Sequence, residues 1–235
     1  MRSGFDREML KLLNDVNSMG ARVDSVIRDT HTALKNLDFL LAQEIYENDN
    51  EIDEMEITIE REAISVIALQ QPVASDLRKI TATLKLVTDI ERIGDKCADI
   101  CEIMNTNPNF HQFDCPEKVL LALEKAREMF SSAMEAFMQK NMELAKEVIR
   151  SDDIVDNYFD EIVQDMTNII IDVANKDSSN SVLAVDYLFI GKSIERIGDH
   201  ATNIAEWALY EITGDNKYVI DSNEYEDEDD EDDEE

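Results

Sequence analysis

Glycine and proline are scarce, six and three among 235 residues, and aromatic side chains make up only 6%. Leu, Ile, Ala, Glu, Asp and Lys fill long unbroken stretches that suit helices better than strands. The three cysteines, Cys97, Cys101 and Cys115, are odd in number and lack CxxC spacing, which excludes a disulfide framework and a thiolate zinc site. Cys97 and Cys101, one helical turn apart among apolar neighbours, read as buried thiols. Basic residues are also few, 22 against 54 acids, giving a net charge of −32. Nucleic-acid affinity rests on cations that displace counterions, so DNA and RNA are excluded as partners. No basic segment leads into an apolar leader, and no run approaches the roughly 18 to 20 apolar residues of a membrane span, so a cytoplasmic chain without membrane insertion is expected. There is no Gly-rich phosphate loop, nucleophile elbow or HExxH. None of His31, His111 and His200 completes the Glu-x-x-His of di-iron bundles.

What is present is apolar residues enough, 43%, for a sizeable core, and a charge that is unevenly spread. Asp221 to Glu235 carries twelve acids and no base, and the rest of the chain still carries −20. Residues 214–235 are therefore read as a disordered acidic tail, and the remaining excess falls on the folded body, where it favours cations and basic surfaces.

Apolar positions recur at helical spacing in six blocks, about Phe5 to Lys35, Leu40 to Leu69, Val73 to Met104, Glu117 to Met138, Met142 to Val173 and Ser181 to Ile212. Residues 105–116, rich in Asn and Pro, read as a linker. The halves it separates match. A shift of 103 residues sets Val16 on Val119, Leu41-Ala42 on Leu144-Ala145, Asp49 on Asp152 and Asp53 on Asp156. A shift of 104 sets Glu91-Arg-Ile-Gly-Asp95 on Glu195-Arg-Ile-Gly-Asp199 and Ile100 on Ile204. Such self-similarity marks an internal duplication. The expected fold is all-α, two tandem three-helix bundles: 1–104 and 117–213.

In the third block Leu86, Ile90, Ile93, Cys97, Ile100 and Met104 form the core stripe, and Glu91, Asp95 and Asp99 a separate row on the more polar flank. The sixth block repeats this with Ile190, Ile194, Ile197, Ala201, Ile204 and Ala208 against Glu195, Asp199 and Asn203. The second block adds Asp49, Asp53, Glu56 and Glu60. The fifth keeps Asp152 and Asp156, then has Phe159 and Val163. Stacked like charges cost about 0.2 to 0.5 kcal/mol per pair, which a hard multivalent cation would offset. A single acidic row is more often a solvated face paired with Lys and Arg. Its presence on two helices per half, and its return in the second half, favours metal: Mg²⁺, Mn²⁺ or iron. Arg92 and Arg196 are placed to salt-bridge the rows.

These residues resemble the PhoU family over about Phe5 to Ile212. The resemblance rests on Phe5-Asp-Arg-Glu-Met-Leu-Lys-Leu-Leu13, Asp49-x-x-x-Asp53, Pro72-Val-Ala-Ser-Asp-Leu-Arg78 and the two ERIGD runs, followed by Asp99 and by Asn203-Ile-Ala-Glu206. It implies two three-helix bundles bearing surface clusters of divalent or trivalent metal ions. The ligands would be Asp49, Asp53, Glu91, Asp95 and Asp99 in the first repeat, and Asp152, Asp156, Glu195 and Asp199 in the second. It also implies a homodimeric, non-enzymatic negative regulator of phosphate uptake and phosphate-starvation signalling, in contact with the ATPase of a phosphate ABC transporter and a sensor histidine kinase. Asn203 departs from Asp99, so the two sites are expected to differ. The alternatives are a metal-dependent phosphohydrolase or oxidase, and a metal-storage bundle.

Overall fold

A computed structural model describes residues 2–112, 114–173, 179–215 and 217; of the tail expected over 214–235, all but Gly214, Asp215 and Lys217 lies outside them. The first half contains α1 (Arg2–Asn36), α2 (Phe39–Glu47), α3 (Asn50–Gln70) and α4 (Ala74–Thr106). A short 3-10 turn, Phe110–Gln112, leads to α5 (Glu117–Gln139), α6 (Met142–Val173) and α7 (Ser179–Thr213). No strand occurs among the described residues, and no helix there is long and apolar enough to cross a membrane.

The turns follow from local chemistry. After α1, Leu37 takes a left-handed conformation, and the Asp38 side chain accepts a hydrogen bond from the Leu41 N–H at 3.1 Å, capping α2. The second half repeats the device: Lys140 is left-handed and Asn141 Oδ1 accepts from the Leu144 N–H at 3.2 Å. Gln71, also left-handed, ends α3 ahead of Pro72, and Pro116 precedes α5. One block departs from expectation. The continuous helix read over Leu40 to Leu69 is broken at Asn48–Asp49, where the Asn48 N–H and Nδ2 both donate to the Glu44 carbonyl, at 3.2 and 2.8 Å. Its counterpart α6 runs unbroken.

α4 and α7 lie at the centre, antiparallel, and α1 packs on α5, so the two bundles share one core. Every residue of both expected stripes, Leu86 to Met104 and Ile190 to Ala208, is fully buried. Polar ties cross the same seam. Asp89, itself buried, accepts from Asn203 Nδ2 at 3.1 Å and lies 3.0 Å from His200 Nδ1. Asn107 donates to Asp186, and Arg127 grips Asp24 through two bonds of 3.0 and 3.1 Å. The linker contributes to the core as well: Phe110 is fully buried, with ring centroids 6.4 Å from Phe39 and 5.2 Å from Tyr187. Cys97 and Cys101 are buried and free.

Candidate metal centre

Each half brings three carboxylates from two helices to one place. In the first, one oxygen from each of Asp49, Asp53 and Asp95 lies within 4.8 Å of the others; in the second, Asp152, Asp156 and Asp199 do the same. Asp49 and Asp53 are one turn apart at the start of α3, facing Asp95 on α4. The break after α2 leaves Asp49 at the N-cap of α3. Its side chain makes no capping bond, which leaves the carboxylate to the trio.

The glycine of each ERIGD run sets the approach. A Cβ on Gly94 would lie 2.7 Å from Ile52 Cδ1 and 3.8 Å from Asp49 Oδ1. At Gly198 it would lie 3.3 Å from Val155 Cγ1 and 3.5 Å from Asp152 Oδ1. Without side chains there, α3 settles against α4, and α6 against α7, closely enough for their acids to converge. The sequence signal for this was the glycine invariant between the two runs, which reasoning from charge alone passes over.

The polar flank expected on α4 is therefore a helix seam and not open surface: Asp49, Asp53 and Asp95 are half-buried, and Glu91 is 17% exposed. Burial, then the charge of neighbouring acids, pushes Asp49 up to about 6 and Glu91 up to about 8. Asp95 is raised as well, burial again leading. In the second half burial, then the charges of Asp199 and Asp156, push Asp152 up to about 7. Asp199 rises to about 6 through burial and Glu195, and the more exposed Asp156 also rises.

The remaining expected ligands stand apart from the trios. Glu91 and Glu195 flank them one turn away. Asp99 is paired with Lys96 at 3.0 Å and is 47% exposed, so the structure does not bring it into the trio. Asn203, its counterpart, serves the Asp89 contact between halves. His200, next to Asp199, is engaged by Asp89. Arg92 and Arg196 do reach the rows, at 3.9 Å from Glu91 and 3.8 Å from Asp199.

The donor set suits a hard cation. Among the described residues, Asp53 Oδ1 and Asp152 Oδ1 are buried without a hydrogen-bond partner, a costly state for carboxylate oxygens that a metal bond would relieve. All-oxygen ligation favours Mg²⁺, Mn²⁺ or iron over soft metals.

The class defined by this fold and site is an internally duplicated helical bundle carrying one carboxylate trio per repeat. The PhoU domain family model matches it twice, over residues 16–104 and 119–208, and the chain belongs to the PhoU family. It is similar to the phosphate-specific transport system accessory protein PhoU homolog of Clostridium acetobutylicum, 34% identical over 91% of this chain and 96% of that protein. The phosphate-specific transport system accessory protein PhoU of Escherichia coli K12 is 31% identical over 89% and 86%. The crystal structure of PhoU from Pseudomonas aeruginosa superposes with a TM-score of 0.83 at 29% identity, covering 90% of this chain and all of that one.

Proposed function

We propose that this chain is a metal-dependent negative regulator of phosphate uptake and phosphate-starvation signalling. A regulatory role in phosphate transport follows from family membership, since relatives spanning nearly the whole chain are named as accessory proteins of phosphate-specific transport. The observation that carries metal dependence is the pair of matched trios, Asp49, Asp53 and Asp95 with Asp152, Asp156 and Asp199, each with one buried oxygen, Asp53 Oδ1 and Asp152 Oδ1, that lacks a partner. These residues would hold a Mg²⁺, Mn²⁺ or iron ion, and the bound charge would turn a repulsive acidic seam into one that accepts anionic or acidic groups of a partner. The partners that fit this role are the ATPase of a phosphate ABC transporter and its sensor histidine kinase, met by a homodimer in the cytoplasm. No specific observation favours a hydrolase or oxidase, because the histidine nearest a trio, His200, is engaged by Asp89.

The test is an Asp95→Asn, Asp199→Asn double variant in a host lacking its own copy, with a phosphate-starvation reporter read in high phosphate. Loss of repression at normal protein abundance, together with weaker co-purification of transporter or kinase, is expected. Full repression by a variant shown to lack bound metal would separate the trios from regulation.

A further inference from the structure

The end of α7 is flanked by cations from two other helices. Gly214, with φ of 75°, follows the last turn, and Arg78 of α4 lies so close that a Cβ there would collide with its guanidinium. Three residues earlier, buried Glu211 meets the ammonium of Lys140, at the end of α5, at 2.8 Å. Lys79, next to Arg78, is half-buried; burial lowers its pKa below the ordinary ammonium value, Glu211 opposes that shift and Lys140 adds to it. The other charges close by are Asp76 and the Asp215–Lys217 pair, at 3.2 Å. Two of the last carbonyls of α7 are satisfied by its own chain: the Gly214 N–H donates to Tyr210 and the Thr213 hydroxyl to Leu209, both at 2.8 Å. Among the described residues Arg78 forms no ion pair and no side-chain hydrogen bond.

Duplication does not account for this cluster. By the shift of 104, Val182 and Leu183 stand at the counterparts of Arg78 and Lys79, and by the shift of 103 Leu37 stands at that of Lys140. Leu37 and Lys140 share the left-handed backbone that follows α1 and closes α5, so the turn itself does not call for a lysine. The cations mark one end of the molecule, and it is the end from which the acidic segment departs. Asp221 follows Gly214 by seven residues, a reach of at most about 25 Å, and residues 221–235 carry twelve acids and no base. Between them lies the apolar Tyr218-Val219-Ile220, while at the start of α4, beside the cations, Val73 and Leu77 are 64% and 42% exposed.

We propose that residues 218–235 fold back on this end of the molecule, with Tyr218, Val219 and Ile220 against Val73 and Leu77, and the acids beyond them against Arg78, Lys79 and Lys140. The tether raises the local concentration of those acids to the millimolar range. At a screening length of about 8 Å, the negative charge on distant faces of the body does little to oppose them. The tail is then an internal competitor for this surface, and an acidic segment of a partner docks there only by displacing it. The inference is independent of the metal-dependent reading.

The test is carbodiimide cross-linking of the full-length chain, which joins a lysine directly to a carboxylate it touches, with the linked peptides identified by mass spectrometry. The Lys140–Glu211 link, expected from the 2.8 Å pair, reports an intact fold in each protein. Links from Lys79 and Lys140 to acids of 221–235 are expected within single chains, as judged from a mixture of ¹⁵N-labelled and unlabelled protein. They should fall several-fold in Arg78→Gln. A second variant, with Asn and Gln replacing the Asp and Glu of 221–235, leaves every helix unchanged in sequence. Acetylation of Lys79 and Lys140 should be several-fold faster in it, with Lys35 and Lys118 unaffected. Three results would each overturn the inference: tail links spread over distant lysines such as Lys118, at the other end of α5; links only between chains; or equal acetylation of Lys79 and Lys140 in the two proteins.

Discussion

At Gly94 the missing side chain decides how near α3 comes to α4. An added methyl would meet Ile52, a fully packed core residue, at 2.7 Å, and overpacking of this kind costs about 1 to 3 kcal/mol. The helix regains up to about 1 kcal/mol from replacing glycine. Gly94→Ala should therefore destabilise the protein, and Gly198→Ala, where the nearest atom is 3.3 Å away, should be close to neutral. Chemical denaturation of both variants checks the ranking. The acids add a pH signature. Asp49 and Asp199 at about 6, Asp152 at about 7 and Glu91 at about 8 all titrate above their unfolded values near 4. Between those limits the metal-free folded protein holds more protons than the unfolded chain, so its stability falls as pH rises. Calorimetry should find a higher Tm at pH 5 than at pH 8 without metal, and added Mn²⁺ should narrow the gap, since metal binds the deprotonated carboxylates. A metal-free Tm independent of pH across this range would contradict the burial of the trios.

At the scale of elements, periodicity revealed most of what is there. Both apolar stripes on α4 and α7, and the doubled ERIGD run, could be read because duplication and helical spacing are local patterns. The break at Asn48–Asp49 could not, since Asn and Asp inside a polar stretch are compatible with a continuing helix, and the bond from Asn48 to Glu44 becomes visible only in the fold. Phe110 was hidden for a different reason: a single aromatic residue in an Asn- and Pro-rich linker has no periodic neighbours, and its burial depends on Phe39 and Tyr187 from separate helices. Phe110→Ala should cost about 3 to 5 kcal/mol, as for other large buried aromatics. A change below 1 kcal/mol would mean that the linker is a passive connection. Asp89 presents the same problem, since its partners lie more than a hundred positions away on α7. Asp89→Ala leaves Asn203 and His200 unpaired at the seam and should cost about 1 to 3 kcal/mol.

Over the whole molecule, α4 against α7 and α1 against α5 make the two repeats one cooperative unit although each is a full copy of the duplicated unit. Thermal unfolding should show a single transition; two separable transitions would mean that each bundle is stable alone. The acid rows were legible as candidates, while their convergence across α3–α4 and α6–α7, and the exclusion of Asp99, required the helix packing set by Gly94 and Gly198. The account stands on those trios as cation sites, and anomalous diffraction from crystals grown with Mn²⁺ tests it most directly. Peaks are expected between Asp49, Asp53 and Asp95 and between Asp152, Asp156 and Asp199. A well-ordered map with no peak at either trio, or with Mn²⁺ bound only elsewhere, would contradict it.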